Sequence, residues 1–152
     1  MKTYILILCF FSYAFFGYSQ TYTGTIIRVI DGDTFVFQTE EGSFTVRMQG
    51  TDAPERDQPY SKESADFLKE YLNKETVFKR QGIDRYERTL GTLFIGDQDI
   101  NLLSIKGGYA WHFKRYSSDQ QYADVEEYAK KNKLGLWNLQ NPIPPWNWRQ
   151  KH

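Results

Sequence analysis

The sequence predicts an α+β fold, a small barrel or curled sheet with helices packed outside it. Three observations predict it. Short apolar runs with two-residue alternation crowd the first half of the 152-residue chain. Segments with helical spacing lie between these runs and after them. No repeat, low-complexity stretch or linker divides the sequence, so a single domain is expected.

The first element stands apart. Lys2 is followed by a nearly unbroken apolar run over residues 4–16, then by the small residues Gly17 and Ser19. This is the order of a secretory signal, with cleavage expected after Ser19. The run is shorter than the roughly 20 residues that a membrane-spanning helix needs. The reading gives a signal over 1–19 and a domain over 20–152. It predicts a secreted or periplasmic protein without stable membrane association once the signal is cut. Cys9, the only cysteine, leaves with the signal, so the domain folds on its core without a disulfide. The whole chain holds 19 basic and 19 acidic residues, and loss of Lys2 leaves 18 against 19. A general basic coat for nucleic acid is thereby excluded, and an anionic partner needs a local patch.

The strands come next. "TIIRVI" and "TFVFQ" flank Asp31-Gly32-Asp33, and Asp-Gly between strand-like runs signals a tight hairpin. In "SFTVRMQG", Phe44, Val46 and Met48 alternate with polar residues, so Arg47 points away from the apolar face. "ETVFKRQ" and "RTLGTLFIG" continue the strands. Between them, "SKESADFLKEYLN" predicts a helix with Ala65, Leu68, Tyr71 and Leu72 on one face and Ser61 as its N-cap. "DINLLSIKGG" predicts a short helix ended by glycine. "SSDQQYADVEEYAKKNKLG" predicts another, with Tyr122, Val125 and Ala129 inward and Gly135 as the stop. The tail "NPIPPWNWRQKH" is expected to strap Trp146 or Trp148 against the barrel. His112, in "YAWHFK", is expected at the edge of the core.

Charged residues gather at the strand ends. Asp31 and Asp33 sit in one turn. Asp52 and Glu55 sit in "TDAPER", where Pro54 makes the turn rigid. "DRYER" brings Arg85, Tyr86 and Arg88 to the entry of a strand. Carboxylates and carbonyl oxygens suit a hard cation. A carboxylate can also orient an attacking water, and guanidinium groups match phosphate oxygens. Phosphodiester cleavage needs this set. Hydrolysis of sugars by paired carboxylates leaves Arg47 and Arg88 unexplained.

Through "GTIIRVIDGDTF", "VRMQGTDAPE", "DRYERTLGTLFI", "INLLSIKGGYAW" and "YAKKNKLGLW", the chain resembles the staphylococcal nuclease (thermonuclease) family. The resemblance implies a five-stranded OB-type barrel with three helices, and a monomer that hydrolyses DNA and RNA with one Ca²⁺. It implies Asp33, Asp52 and the backbone carbonyl of Ala53 as metal ligands. Glu55 would be the general base or a group positioning the water, and Arg47 and Arg88 would clamp the scissile phosphate. Arg85 and Tyr86 would contact a neighbouring phosphate, and Tyr116 a base. The loop 56–60 is shorter than in the family's type member. Glu87 stands where that member has glycine, and strand alternation is expected to turn it away from Arg88. The rival reading is a non-catalytic OB-fold module for single-stranded nucleic acid. Such a module is expected to lose a ligand, Glu55 or a clamp arginine, and this chain keeps all of them.

Overall fold

A computed structural model describes residues 20–151. The expected signal, with Cys9, lies outside the described residues. In order, the elements are β1 (Thr21–Val29), β2 (Thr34–Thr39), β3 (Gly42–Met48), β4 (Thr51–Asp52), α1 (Ser61–Lys69), β5 (Glu75–Ile83), β6 (Thr89–Ile95), β7 (Gln98–Asp99), α2 (Ile100–Lys106), β8 (Trp111–His112), α3 (Gln120–Lys131) and α4 (Pro145–Trp148). A 3-10 turn, Gly135–Asn138, lies between the last two helices.

The sheet order β3-β2-β1-β5-β6 closes on itself through a parallel β3–β6 pairing, which makes a five-stranded barrel. The expected α+β barrel is the observed one. Closure removes the sheet edges that an open sheet of these short strands would expose. Strand alternation sends Ile26, Phe35, Phe37, Val46, Phe78 and Leu93 into the barrel, where each is fully buried. Phe37 and Phe78 meet at 5.8 Å between ring centroids, as do Phe37 and Phe44. Phe67 and Leu68 of α1 close one end of this core.

The helices differ in detail from the sequence reading. Ser61 is the first residue of α1 rather than its cap. Tyr60 holds the cap position at φ 75°, and the Ser61 hydroxyl donates to the Arg56 carbonyl at 2.9 Å. The inward face of α1 is Ser64, Phe67 and Leu68, and the helix stops before Tyr71 and Leu72. α2 is capped by Asp99, whose carboxylate accepts from the Leu102 N–H at 2.9 Å. On α3 the third buried residue is Glu126, not Val125. Its stop is Lys133 at φ 52°, with Leu134 N–H donating to the Ala129 carbonyl and Lys133 N–H to Lys130. Gly135 serves a different purpose: a Cβ there would meet the Gly108 carbonyl oxygen at 2.3 Å. The tail is a strap, but it docks on β8 and the residue after it rather than on the five-stranded barrel. Trp146 stacks on Phe113 at 5.3 Å and 3°, and meets Trp111 edge-on at 5.6 Å.

His112 lies on β8, only 2% exposed. Its backbone N–H donates to the buried Glu126 carboxylate at 3.0 Å, and its ring meets Tyr122 edge-on at 5.8 Å. Burial holds the imidazole pKa below its usual value; Glu126 and Asp119 pull it up and Lys114 pushes it down. The folded protein therefore takes up this proton at a lower pH than the unfolded chain does. The contribution of His112 to stability should fall as pH drops below about 6.5, until the folded-state pKa is reached. Melting temperatures of the wild type and His112→Gln between pH 7.5 and 5 test this. The variant should gain on the wild type as pH falls, and a difference that stays constant with pH would remove His112 as the cause.

Candidate active site

The site begins with one hairpin. The amides of Ile30 and Asp31 both donate to the Thr34 carbonyl, at 2.9 and 3.1 Å, and the Asp31 carboxylate accepts from the Asp33 N–H at 3.1 Å. This Asx geometry makes Asp31 a turn residue. Gly32 is the point of closest approach: a Cβ on it would lie 2.7 Å from the Ala53 Cβ and 2.5 Å from the Ser64 Cβ. Only glycine lets the hairpin press against both the segment after β4 and helix α1.

That approach delivers Asp33 to Ala53. The Ala53 N–H donates to Asp33 Oδ2 at 2.6 Å, and the Thr34 hydroxyl donates to Oδ1 at 3.0 Å. Across the β2–β3 ladder, Thr34 pairs with Arg47. The Arg47 side chain turns from the barrel interior, as expected, and its Nη2 lies 3.0 Å from both Asp33 Oδ2 and Asp52 Oδ1. Nη1 donates to the Met48 carbonyl at 2.9 Å. Glu55 follows on the Pro54 turn, held by a bond from its own N–H to Gln58 Oε1 at 3.1 Å and one from the Gln58 N–H to its carbonyl at 2.8 Å.

The sequence reading missed Arg149. It follows α4, and its Nη2 lies 2.9 Å from Asp52 Oδ2 while Nη1 lies 3.2 Å from Asp52 Oδ1. The same Nη1 bonds Glu55 Oε1. No periodicity marks Arg149; the only hint is a basic residue among prolines and tryptophans that have reason to dock. Asp84 was missed too. It bonds the Arg88 Nε and Nη2 at 2.8 and 2.7 Å and the Arg88 N–H at 3.0 Å.

Asp33, Asp52, Ala53, Glu55 and Arg47 thus meet in one place. Arg88, Arg85, Tyr86 and Tyr116 do not bond to them. Arg88 enters β6 one residue before Thr89, which pairs with Val46, so it stands beside the Arg47 strand. Arg85 Nη2 donates to the Tyr86 hydroxyl at 2.7 Å, and both side chains are exposed. Tyr116 packs edge-on against Phe113 at 4.9 Å with most of its surface open. Glu87 lies in the loop at φ 63° rather than on a strand, so strand alternation does not set its direction. A left-handed position is one where glycine is the unstrained choice.

Charge is crowded here. Burial first, then the Asp33 charge, pushes Asp31 up to about 7. Burial pushes Asp52 up to about 6, against the pull of Arg149 and Arg47. These are anions short of positive charge. By chemistry the donors fit a hard cation, since all are oxygens. Among the described residues, no three acidic, histidine or cysteine side chains are already arranged around a common metal position. Guanidinium groups hold the carboxylates instead. For Asp84, burial opposes the charge, but bonds from Arg88 keep its pKa below the usual carboxylate value.

Comparison with known proteins follows the same lines. Residues 45–139 match the family described as Staphylococcal nuclease homologue. A protein of Haemophilus influenzae named "Uncharacterized endonuclease" is 37% identical over 131 residues, covering 85% of this chain and 74% of its own. One of the same name from Escherichia coli O157:H7 is 34% identical over 133 residues, covering 84% and 85%. The "Micrococcal nuclease" of Shigella flexneri is 30% identical over 141 residues, covering 85% and 81%.

The tight contact at Gly32 is directly testable. Gly32→Ala should lower the unfolding free energy by about 1–3 kcal/mol, the usual cost of overpacking a site that cannot give. Gly82→Ala is the control, because its nearest atom, Leu90 Cδ1, is 4.0 Å away. Denaturant melts that put the two variants at equal stability would show that the hairpin does not depend on this contact.

Proposed function

The chain belongs to the staphylococcal nuclease family, and from that premise we propose that it is a secreted Ca²⁺-dependent endonuclease hydrolysing phosphodiester bonds of DNA, RNA or both. One observation carries the reading. Asp33, from the β1–β2 turn, and Asp52, at the end of β4, share the Arg47 guanidinium, with Glu55 on the rigid turn beside them. Asp33, Asp52 and the Ala53 carbonyl would hold the cation. When bound, Ca²⁺ supplies positive charge against the charge that builds on phosphorus oxygens in the transition state.

The chain's own residues do the rest. Glu55 is 37% exposed at its side chain, so it can reach a water while its backbone stays fixed. It orients that water or accepts its proton. Arg47 and Arg88 donate to the scissile phosphate. Asp84 grips Arg88 on its Nε–Nη2 side, which fixes the guanidinium plane and leaves Nη1 for a phosphate oxygen. Arg85 and Tyr86, exposed on the same loop, meet a neighbouring phosphate. Tyr116 offers an open ring for a base, a contact that tolerates any sequence.

The test is to incubate the purified protein with single-stranded DNA, duplex DNA and RNA, with Ca²⁺, with Mg²⁺ or with a chelator, and to map the product ends. Internal cuts should appear in Ca²⁺, few in Mg²⁺ and none in chelator. Strands bound but left whole would replace the enzyme with a binding module. The N-terminus of protein recovered from outside the cytoplasm should begin near Gln20.

Two substitutions assign roles. Glu55→Gln keeps the shape but cannot take a proton, so kcat should fall roughly 10²–10⁴-fold while Ca²⁺ affinity changes little. Near wild-type turnover would remove Glu55 from the chemistry. Arg88→Lys keeps the charge but loses the fork that Asp84 orients. Its kcat should fall on the order of 10²–10³-fold with a smaller change in KM, since donors aimed at developing charge act mainly in the transition state. A rise in KM alone would make Arg88 a binding residue only.

A further inference from the structure

The C-terminal strap brings a cation of its own into the carboxylate cluster. Its stiffness is in the sequence: Pro142, Pro144 and Pro145 restrict the segment before α4, and Pro145 suits the first helical position. Its anchors lie on both sides of the site. Trp146 stacks on Phe113 and abuts Trp111 of β8. Gln58 donates to the Ile143 carbonyl, and the Trp148 Nε1–H donates to Asp57 at 3.3 Å. The turn that carries Glu55 and the strand that pairs with Asp52 are therefore both tied to the strap. Arg149, the next residue after α4, is placed by these contacts.

The guanidinium takes both oxygens of Asp52 and one of Glu55. Asp52 is 1% exposed at its side chain, whereas that of Arg149 is 43% exposed. The arginine thus lies on the water side of the carboxylate it covers. Arg47 reaches the same carboxylate from within, at 12% exposure. A cation bound by Asp52 needs the very oxygens that Arg149 occupies, Arg149 also takes one of the two Glu55 oxygens, and a cation and a guanidinium at one carboxylate repel.

We infer that Arg149 is a strap-mounted internal counter-ion of Asp52 and Glu55, which holds the site closed until a divalent cation displaces it. This rests on the reading of Asp52 as a metal ligand. Displacement costs part of the binding free energy of the cation, so the site fills later than its carboxylates alone would dictate. It also frees Glu55. The strap itself stays docked, because its tryptophans and prolines do not depend on the Arg149 contact.

The test is calorimetric titration of Ca²⁺ alone into the wild type, Arg149→Gln, Arg149→Lys and Asp52→Asn, with circular dichroism to establish that each is folded. Arg149→Gln should bind Ca²⁺ about tenfold more tightly than the wild type, within the usual range of coupling between two sites. Arg149→Lys, which keeps the charge but not the fork, should fall between them. In the wild type, the Arg149 Nε–H resonance should shift on saturation with Ca²⁺, while the Trp146 indole N–H should not. Binding to Arg149→Gln that equals or falls below wild type overturns the inference. If Asp52→Asn alone loses Ca²⁺, the metal reading then survives without the counter-ion. If Ca²⁺ binds none of the four proteins, both fail together.

Discussion

The site depends on how closely the β1–β2 hairpin approaches the segment after β4. Gly32 has no room for a methyl group between Ala53 and Ser64. That contact sets the distance at which Asp33 accepts the Ala53 N–H. It also fixes the height of Asp33 relative to Arg47, because Thr34 is registered with Arg47 across the ladder and the Met48 N–H donates to the Asp33 carbonyl at 2.8 Å. Once Arg47 spans Asp33 and Asp52, residues far apart in the chain form one cluster. The barrel supplies rigidity to the strands beside Asp33, Arg47 and Arg88, since β2, β3 and β6 are all members of the closed sheet, whereas Asp52 lies on β4, outside the barrel and held by its pairing with β8.

The two arginines on this cluster are not equivalent. Arg47 lies between Asp33 and Asp52, nearly shut off from water. Its removal leaves two buried carboxylates facing one another, the situation that costs about 3–5 kcal/mol when one partner of a buried pair is lost. Arg149 is solvated on one side and reaches in from a separately anchored segment. Its bond to Glu55 is partly solvated, but the Asp52 carboxylate it covers is buried, so losing Arg149 also leaves a buried charge under-compensated unless another cation takes its place. Arg47 is therefore part of the scaffold as well as a phosphate ligand in the proposed reaction. Arg149 is the member of the cluster that an incoming cation can reach from the water side.

Much of this was legible in the sequence, for reasons that can be named. Alternation placed Phe44, Val46 and Met48 on one side of β3 and turned Arg47 out, because a pleated strand leaves no other choice. The proline turn at Pro54 and the Asp-Gly turn marked the acidic loops, because their backbone demands are local. What failed was tertiary. Glu126 is buried on α3 because Lys114, Lys130 and the His112 amide converge on it, and none of these is visible in helical spacing. Tyr60, not Ser61, occupies the helix cap because the Ser61 hydroxyl is used by the Arg56 carbonyl. Asp84 and Arg88 were both in view as "DRYER" and its preceding turn. Their fork requires the loop to double back through Glu87 in a left-handed conformation, which a glutamate does not advertise. Arg149 was invisible because its position comes from tryptophans docking elsewhere.

Charge counting links the cluster to its chemistry. Asp31, Asp33, Asp52 and Glu55 face Arg47 and Arg149, so four carboxylates against two guanidinium groups leave a formal charge of −2 when all are ionised. Burial makes that excess expensive, which is why Asp31 and Asp52 are held above the usual carboxylate range. A divalent cation offsets the deficit. A monovalent one does not, and a further arginine would find no unshared carboxylate oxygen on Asp52. If the cation enters as Arg149 leaves, the cluster stands at −1 rather than neutral, and the departing guanidinium remains tethered at the mouth. A phosphodiester would then be attracted by the cation held by Asp33 and Asp52, by Arg149 and by Arg88 together. The overall balance of acidic and basic residues is no obstacle to an anionic substrate, because the attraction is assembled locally from groups that otherwise neutralise one another.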